Sequence, residues 1–261
     1  MMKAASRFVV SLCAVIGSGC GGDGGTGSPD GGPGDGNSNV DAGLDGPPVG
    51  NFSFFVTSLA TMRAQSASQD GFGGNLGGLT GADQICQTAA AAVGAGSKTW
   101  KAFLSTFNNG APVHAIDRIG AGPWYDRNGR LIAMNLAGLT AGNRPAGDPA
   151  TINDLPDENG TPLTTLGDTH DILTASNLAG RFDGTSGANS CNDWTDAGAG
   201  TPGAVRLGHS WPATSGQSWI RAHTARGCSP GVNLIQNGPG TGTSVGAGGG
   251  WGGIYCFALT P

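Results

Sequence analysis

The chain has 261 residues, of which 50 are glycine, and only 12% of its residues are charged. Charged residues are therefore about half as frequent as in an average globular protein. Residues 51–261 carry 11 Lys and Arg against 13 Asp and Glu, so their charge is close to balanced. A nucleic-acid-binding domain is expected to present a basic face, and this composition argues against one. It is typical instead of a loop-rich domain stabilised by disulfides.

The N-terminus has the features of an export signal. A short basic region precedes an apolar stretch at 8–16, which has the length of a signal-peptide core and is too short to span a bilayer. The sequence GSGC that follows resembles the cleavage site of bacterial lipoproteins, in which the cysteine is lipidated. We therefore predict a signal peptide at 1–19 and lipidation of Cys20. This places the protein in the cell envelope, at the outer membrane or the cell surface; the alternative is cleavage without lipidation, and secretion.

The number of cysteines agrees with lipidation. The chain has six cysteines, one of which lies inside the predicted signal peptide. If Cys20 carries lipid, an even number remains in the domain, namely Cys86, Cys191, Cys228 and Cys256. Export makes two disulfides chemically reasonable, although the sequence alone leaves three pairings open.

The segment after the signal peptide is predicted to be a tether. Residues 20–50 are rich in Gly, Pro and Asp and contain no aromatic residue. Such a segment cannot bury enough apolar surface to offset the entropy lost on ordering, so we expect it to be disordered. The remaining residues, 51–261, have the length of one domain.

The first predicted element of the domain is a helix at 77–94, with the sequence GGLTGADQICQTAAAAVG. Thr80 is a candidate N-cap, with Asp83 as the acidic member of a capping box, and Gly94 is a candidate stop. Apolar residues recur at spacings of three and four, which predicts one buried face. Cys86 belongs to this face and is therefore expected beside the core.

Short strands are predicted after the helix. The candidate strand segments are 99–105, 123–133, 171–176 and 252–259. The second of them contains Asn128-Gly129 between two apolar arms, which is a strong hairpin signal. A helix followed by short antiparallel strands and long Gly-rich loops predicts an α+β fold.

Five segments together resemble a known family. In chain order they are GADQIC at 81–86, TWKAFLS at 99–105, IDR at 116–118, SCNDWT at 190–195 and IYCF at 254–257. They are similar to the endostatin-like domains, found at the C-terminus of certain collagens and on bacterial exported lipoproteins. The resemblance implies a C-type-lectin-like fold over roughly 54–259. It also implies nested disulfides that join Cys86 to Cys256 and Cys191 to Cys228.

No metal site is predicted from the histidines. The chain has four of them, His114, His170, His209 and His223. They show neither HExxH spacing nor a nearby cysteine pair, so there is no zinc motif. The zinc ligands of animal endostatins lie near the start of the domain, where this chain has no histidine, so that site is not carried over.

A calcium loop is the less favoured of two interpretations of NDLPDENG at 153–160. Asp154, Asp157 and Glu158 are the hard oxygen ligands that calcium prefers. Their spacing does not fit an EF-hand, and polar turn chemistry accounts for the same residues. We therefore predict no cofactor, with calcium as the alternative.

No catalytic residue is predicted. The segments GTSGA and GHSWP do not complete the GxSxG motif of a hydrolase. His209 precedes Ser210 in the chain, but no carboxylate can be assigned to orient the histidine. We expect the protein not to be an enzyme.

The candidates for ligand binding lie near the second pair of cysteines. Trp211 is the aromatic residue we favour for contact with a ligand, whereas Trp219 and Trp251 are assigned to the core. Asn192 and Asp193 are further candidates, although such residues often hydrogen-bond a loop beside a disulfide. Four arginines are assigned to a solvated surface: Arg118, Arg127, Arg130 and Arg144.

These observations together predict a cell-surface lipoprotein that displays a non-catalytic recognition domain. The expected partner is an extracellular protein or carbohydrate, with membrane contact through the lipid anchor only. The first alternative is a structural surface component without a specific ligand. The second is a secreted hydrolase.

Overall fold

The computed structural model describes residues 50–149, 153–212, 216–235 and 242–261. The predicted signal peptide, the lipidation site Cys20 and the tether up to residue 49 lie outside these ranges. Within the described residues no helix has both the length and the apolar character needed to cross a membrane.

The described residues form a mixed α+β structure of short elements. The helices are α1 (Leu59–Ser66), α2 (Gly78–Ala92) and α3 (Leu136–Leu139). The strands are β1 (Phe54–Val56), β2 (Trp100–Ala102), β3 (Trp124–Tyr125), β4 (Leu131–Ala133), β5 (Asp171–Leu173), β6 (Arg206–His209), β7 (His223–Thr224) and β8 (Gly250–Ala258). Single 3₁₀ turns lie at Asn108–Gly110, Ala115–Asp117, Leu163–Leu166 and Gly187–Ser190. This outcome confirms the α+β class and the short strands.

Strand β8 is the centre of the main sheet. The strand order is β1-β8-β5-β6-β7, and β2 also pairs with β8. The last part of β8 is antiparallel to both β1 and β2, with Phe257 opposite Phe54 and Lys101. Its first part is parallel to β5, with Asp171 opposite Gly250. The expectation of purely antiparallel strands was therefore wrong at this pair, because the long chain between β5 and β8 brings them together in the same direction.

The predicted hairpin forms a separate two-stranded sheet. Strands β3 and β4 are antiparallel, with Trp124 opposite Ala133. Gly129 occupies the turn with a φ of 76°. Its amide donates to the carbonyl of Asp126, so a residue tolerant of positive φ closes the loop, as the Asn-Gly pair predicts.

Helix α2 confirms the predicted buried face, but its start differs. The buried residues include Ile85 and Cys86. The N-cap is Gly77, in a left-handed conformation, so Thr80 lies inside the helix and caps nothing. Asp83 does not complete a capping box; its carboxylate receives hydrogen bonds from Lys101 Nζ at 2.8 Å and from the Ala102 amide at 3.0 Å. The Asp83 carboxylate therefore contacts β2 and does not cap α2.

Helix α1 was not predicted from the sequence. Its apolar pattern is weak, since only Leu59 and Met62 are buried. The helix is capped by Ser58, whose hydroxyl accepts from the Thr61 amide. The buried carboxylate of Glu158 accepts from the Ser58 amide at 2.9 Å, which is favourable at a helix N-terminus.

Two disulfides join the pairs that the resemblance implies. Cys86 on α2 is bonded to Cys256 on β8. Cys191 is bonded to Cys228, inside the loop that the first bond closes. Disulfides of this kind are typical of proteins that fold in an oxidising extracellular compartment.

An aromatic core surrounds the last part of β8. Trp194, Trp219 and Trp251 are at most 1% exposed, which confirms the assignment of Trp219 and Trp251 to the core. Each indole N–H donates to a main-chain carbonyl, so the rings are buried without loss of hydrogen bonding. The Trp219 ring packs edge-on against Tyr255 at 5.1 Å between centroids.

Candidate metal centre

Three of the four histidines and one aspartate converge at one edge of the main sheet. His170 directly precedes β5, Asp171 begins it, His209 ends β6 and His223 begins β7. Asp171 lies opposite His209 in the β5–β6 ladder, and His223 lies opposite Leu207. Leu207 and His209 are two residues apart, so they share a face, and the ladder brings His223 to that face as well.

The side-chain atoms have the spacing of a metal site. The carboxylate oxygen Oδ1 of Asp171 lies 3.4 Å from His170 Nε2, 3.5 Å from His209 Nε2 and 2.9 Å from His223 Nε2. Four ligands at ordinary zinc bond lengths around a tetrahedron are about 3.3 Å apart. All ligand atoms lie within 4.8 Å of one another, so the widest pair would have to close by up to about 1.5 Å around an ion.

Main-chain carbonyls orient two of the imidazole rings. His170 Nδ1 lies 2.9 Å from the Asp168 oxygen, and His223 Nδ1 lies 3.2 Å from the Thr224 oxygen. A carbonyl oxygen only accepts hydrogen bonds, so each Nδ1 carries a proton. In the neutral ring the Nε2 atom then keeps its lone pair and points toward Asp171. Such an outer hydrogen bond is the usual support of a metal-binding histidine.

Burial and mutual repulsion keep two of the rings neutral. Burial lowers the pKa of His170. Burial, reinforced by the charges of the neighbouring histidines, lowers the pKa of His209 to about 2. Burial also acts to lower the pKa of His223, but its contact with Asp171 outweighs that effect and the pKa is raised. The centre therefore offers two neutral imidazoles beside one carboxylate, together with a third imidazole, His223, whose Nε2 proton a bound ion would displace. Such a set suits zinc-class ions.

A glycine segment forms the wall next to Asp171. A Cβ atom on Gly248 would lie 2.2 Å from Asp171 Oδ2 and 3.4 Å from His223 Cε1. The carbonyl of Gly249 accepts from the His170 amide at 2.8 Å and from the Asp171 amide at 2.9 Å. Only glycine at 248 leaves room for the carboxylate, so this position is part of the site.

Trp211 lies at the margin of the centre. Its ring packs edge-on against His170 at 5.2 Å between centroids, and its indole N–H donates to the Thr169 carbonyl at 2.8 Å. The Trp211 side chain is partly exposed, and that of His223 is 38% exposed. The centre is therefore accessible at His223, whereas His170 and His209 are buried.

The other candidates for ligand binding belong to a different turn. Residues Cys191–Trp194 all have positive φ and form a left-handed turn beside the inner disulfide. Asp193 accepts hydrogen bonds from the amides of Phe107 and Asn108 at 2.8 and 3.0 Å. Asn192 is exposed and donates to the Thr195 hydroxyl. Asp193 thus ties this turn to the chain after β2, and neither residue is in the set of four ligands.

The three carboxylates proposed as a calcium alternative have separate contacts. Asp154 accepts from the Thr164 hydroxyl at 2.7 Å. Asp157 accepts from the amides of its own turn, including that of Thr161 at 2.9 Å. Glu158 accepts at the start of α1. These contacts are those of turn and cap chemistry.

Sequence reasoning missed the centre because its members come from three strands. The histidines are separated by long Gly- and Ser-rich segments, so no local spacing identifies them. Arg127 and Arg144 were also misassigned to a solvated surface. Arg127 is buried, and Arg144 is half-buried, with its Nη1 donating to the His209 carbonyl at 2.7 Å. The one available signal was His170, which directly precedes the predicted strand at 171–176.

Comparisons with known proteins add no family assignment. No protein-family model matches the chain, and no curated protein is similar enough in sequence to count as a relative.

Proposed function

We propose that this exported domain binds a divalent ion of the zinc class through His170, Asp171, His209 and His223. The observation that carries the proposal is the position of one carboxylate oxygen within 2.9–3.5 Å of three imidazole Nε2 atoms. Imidazole nitrogen favours zinc and its neighbours over calcium and magnesium, which require oxygen ligands.

The proposed role of the metal is structural and non-catalytic. Four protein ligands complete a tetrahedral shell, whereas a catalytic zinc site keeps one position for water or substrate. A metal at this place joins the ends of β5, β6 and β7. It would fix the neighbouring segment that carries Trp211.

We also propose that the domain has an endostatin-like, C-type-lectin-like fold and recognises an extracellular protein or carbohydrate at the cell surface. The order of the family-like segments and the two disulfides support the fold. The partly exposed Trp211 supports a binding role, because aromatic faces near loops are suited to stacking on sugars or docking on proteins. Lipidation of Cys20 would hold the domain at the membrane.

Metal binding is tested by titrating chelator-treated protein with Zn²⁺ in a calorimeter and counting bound metal by mass spectrometry. We expect one ion per chain, and an affinity at least 100-fold weaker in His209→Gln or Asp171→Asn. His114→Gln is the matched control, because His114 lies outside the four-residue centre and accepts from the Phe182 amide. Equal affinity in wild type and His209→Gln would refute the proposal.

Recognition is tested on an array of glycans and matrix proteins, with Zn²⁺ and with chelator. We expect a saturable ligand whose affinity falls in Trp211→Ala while the thermal midpoint stays unchanged. A blank array in both conditions would favour the structural alternative. In parallel, Cys20→Ser should move the protein from the membrane fraction to the soluble fraction, and an unchanged distribution would contradict lipidation.

A further inference from the structure

A cavity of about 200 Å³ lies between the start of α1 and the segment that begins at Asp157. The apolar part of its lining includes Leu59, Pro162, Leu163 and Trp251. Leu59, Leu163 and Trp251 are buried, so the floor of the cavity is part of the core. An apolar cavity of about 150 Å³ is already large enough to admit benzene. This cavity can therefore hold a ligand body of the size of one aromatic ring.

The walls of the cavity are held in place by hydrogen bonds within the protein. The carboxylate of Glu158 accepts from the Ser58 amide at 2.9 Å and from the Ser58 hydroxyl at 2.6 Å, which joins the Asp157 segment to the start of α1. Further along this segment, the Leu163 carbonyl accepts from the buried Thr169 hydroxyl at 2.8 Å. The cavity is therefore formed before a ligand binds, and a preformed site has less ordering entropy to lose on binding.

Polar residues complete the lining of the cavity. Thr161 and Thr165 are exposed, and Asp157 is half-buried. The Thr165 hydroxyl donates to the Pro162 carbonyl at 2.8 Å, so its oxygen can still accept a hydrogen bond. A carboxylate only accepts hydrogen bonds when it is ionised. The polar part of the lining therefore offers acceptors to a ligand that carries N–H or O–H donors.

The charge of Asp157 is not balanced by a cation. In the part of the chain that the structure describes, neither Asp157 nor the adjacent Glu158 takes part in a salt bridge. Burial, with a contribution from Glu158, raises the pKa of Asp157 to about 6, which still leaves the carboxylate largely ionised at pH 7.5. Burying a charge without a partner is unfavourable, so a cation in the cavity would relieve this cost.

We propose that this cavity binds a small organic ammonium ion, with an apolar body of the size of one aromatic ring. The body would lie against Leu163 and Trp251, and the ammonium group would donate to Asp157 and Thr165. An anion of the same shape would meet two adjacent carboxylates, and a neutral ligand would leave the charge of Asp157 unbalanced. The cavity is separate from the metal centre, since none of its lining residues is among the four metal ligands.

The first test compares two probes of similar shape by calorimetric titration at pH 7.5. Phenethylamine is protonated at this pH, whereas 2-phenylethanol is neutral. Chelator-treated protein is used, because an amine can also coordinate a metal ion. We expect saturable binding of one phenethylamine per chain, with 2-phenylethanol weaker by about tenfold or more. No binding of phenethylamine, or equal affinity for the two probes, would overturn the proposal.

The second test removes the charge of the cavity. Asp157→Asn keeps an acceptor for the amides of its turn, so the variant is expected to fold. It should bind phenethylamine about tenfold more weakly than wild type while its affinity for 2-phenylethanol stays the same. Asp117→Asn is the matched control, because Asp117 is an exposed carboxylate outside the cavity. Unchanged phenethylamine affinity in Asp157→Asn would refute the role of this carboxylate.

The third test locates the site. Ala60 lines the cavity but is itself exposed, so Ala60→Phe should occupy the space without disturbing the core. Phenethylamine binding should be lost in Ala60→Phe and kept in Ala92→Phe, which changes an exposed alanine at the end of α2. His209→Gln should also keep it, so the failure of this proposal is distinguishable from that of the metal centre. Equal binding in Ala60→Phe and wild type would place the amine elsewhere and refute the proposal.

Discussion

The two ends of β8 have opposite characters. At Cys256 the strand lies between β1 and β2, surrounded by aromatic side chains and bonded covalently to α2. At Gly250 it lies beside β5, next to three histidines and an aspartate. One strand therefore connects an apolar, cross-linked region with a polar region at the edge of the sheet.

The buried polar atoms of the two regions differ in their hydrogen bonding. At the apolar end the indole of Trp100 donates to Ala95, and that of Trp124 donates to Ala258. At the polar end Asp171 Oδ2 and both nitrogens of His209 are buried without a hydrogen-bond partner, and Asp171 Oδ1 lies close to three imidazoles. The first region contributes mainly to stability, and among the described residues the Tyr255 hydroxyl is its buried atom without a partner, while the second carries several groups that a ligand would satisfy. Four experiments examine this contrast.

The largest expected effect is at the end of β8 that is disulfide-bonded to α2. Replacing Cys86 and Cys256 together with alanine should lower the free energy of unfolding by about 5 kcal/mol, an upper bound from the long loop that this bond closes. The inner disulfide, between Cys191 and Cys228, closes a shorter loop. Replacing both of its cysteines with alanine should lower the free energy of unfolding by about 4 kcal/mol.

Urea unfolding of the two double variants measures both costs. Because both variants lose one cysteine pair, the difference between them reports on the position of the disulfide and the length of its loop. Stability equal to that of the wild type in the outer variant would show that the disulfide does not support this region.

Metal is expected to stabilise the polar end by a smaller amount. Zinc at 100 times its dissociation constant should add about 2.7 kcal/mol, because it binds the folded chain in preference to the unfolded one. The gain should vanish in chelator and in His209→Gln, and it should persist in His114→Gln. Chemical unfolding with and without Zn²⁺ gives the difference, and a gain of similar size in His209→Gln would place the metal elsewhere.

A substitution at Gly248 should disturb the metal centre without removing any of its four ligands. In Gly248→Ala the new methyl group would lie on the Asp171 carboxylate, so the carboxylate must move. We expect zinc affinity to fall at least tenfold, or about 1.4 kcal/mol. Gly142→Ala is the matched control, since a Cβ there meets nothing within 4 Å. Calorimetric titration should separate the two variants, and identical affinities would exclude the proposed role of Gly248.

The smallest expected effect is at Asp157, whose turn forms a bridge with β1. Burial, with a contribution from Glu158, raises the pKa of Asp157 to about 6 from 3.8. The folded state therefore binds this proton more tightly than the unfolded state, and stability is lost as pH rises from about 4 to above 6. Asparagine keeps the acceptor for the amides of Asn159 and Thr161 and removes the charge.

Asp157→Asn should match wild type near pH 3.5 and exceed it by about 1 kcal/mol at pH 7, after allowance for partial exposure. Urea unfolding across this pH range gives the comparison. Asp117→Asn, at an exposed carboxylate, serves as control. A stability difference between Asp157→Asn and wild type that does not change with pH would contradict the raised pKa of Asp157.

Features that depend on neighbouring residues were predicted from the sequence, and features that depend on distant residues were not. Local periodicity identified the buried face of α2, and an Asn-Gly turn identified the β3–β4 hairpin. The start of α2 was misplaced because Asp83 bonds to β2 instead of capping the helix. Helix α1 escaped prediction because its N-terminus is stabilised by Glu158, which is distant in the chain.

The sequence by itself determined the class of fold, the cysteines available for bonding and the core tryptophans, since periodicity, composition and turn chemistry act over a few residues. Only the tertiary structure brought together His170, Asp171, His209 and His223. These residues meet because β5 pairs with β6 and β6 with β7, and strand pairing depends on contacts between distant segments. The burial of Tyr255 and the half-burial of Arg144 were decided in the same way, because burial of a polar group is a property of the packed chain.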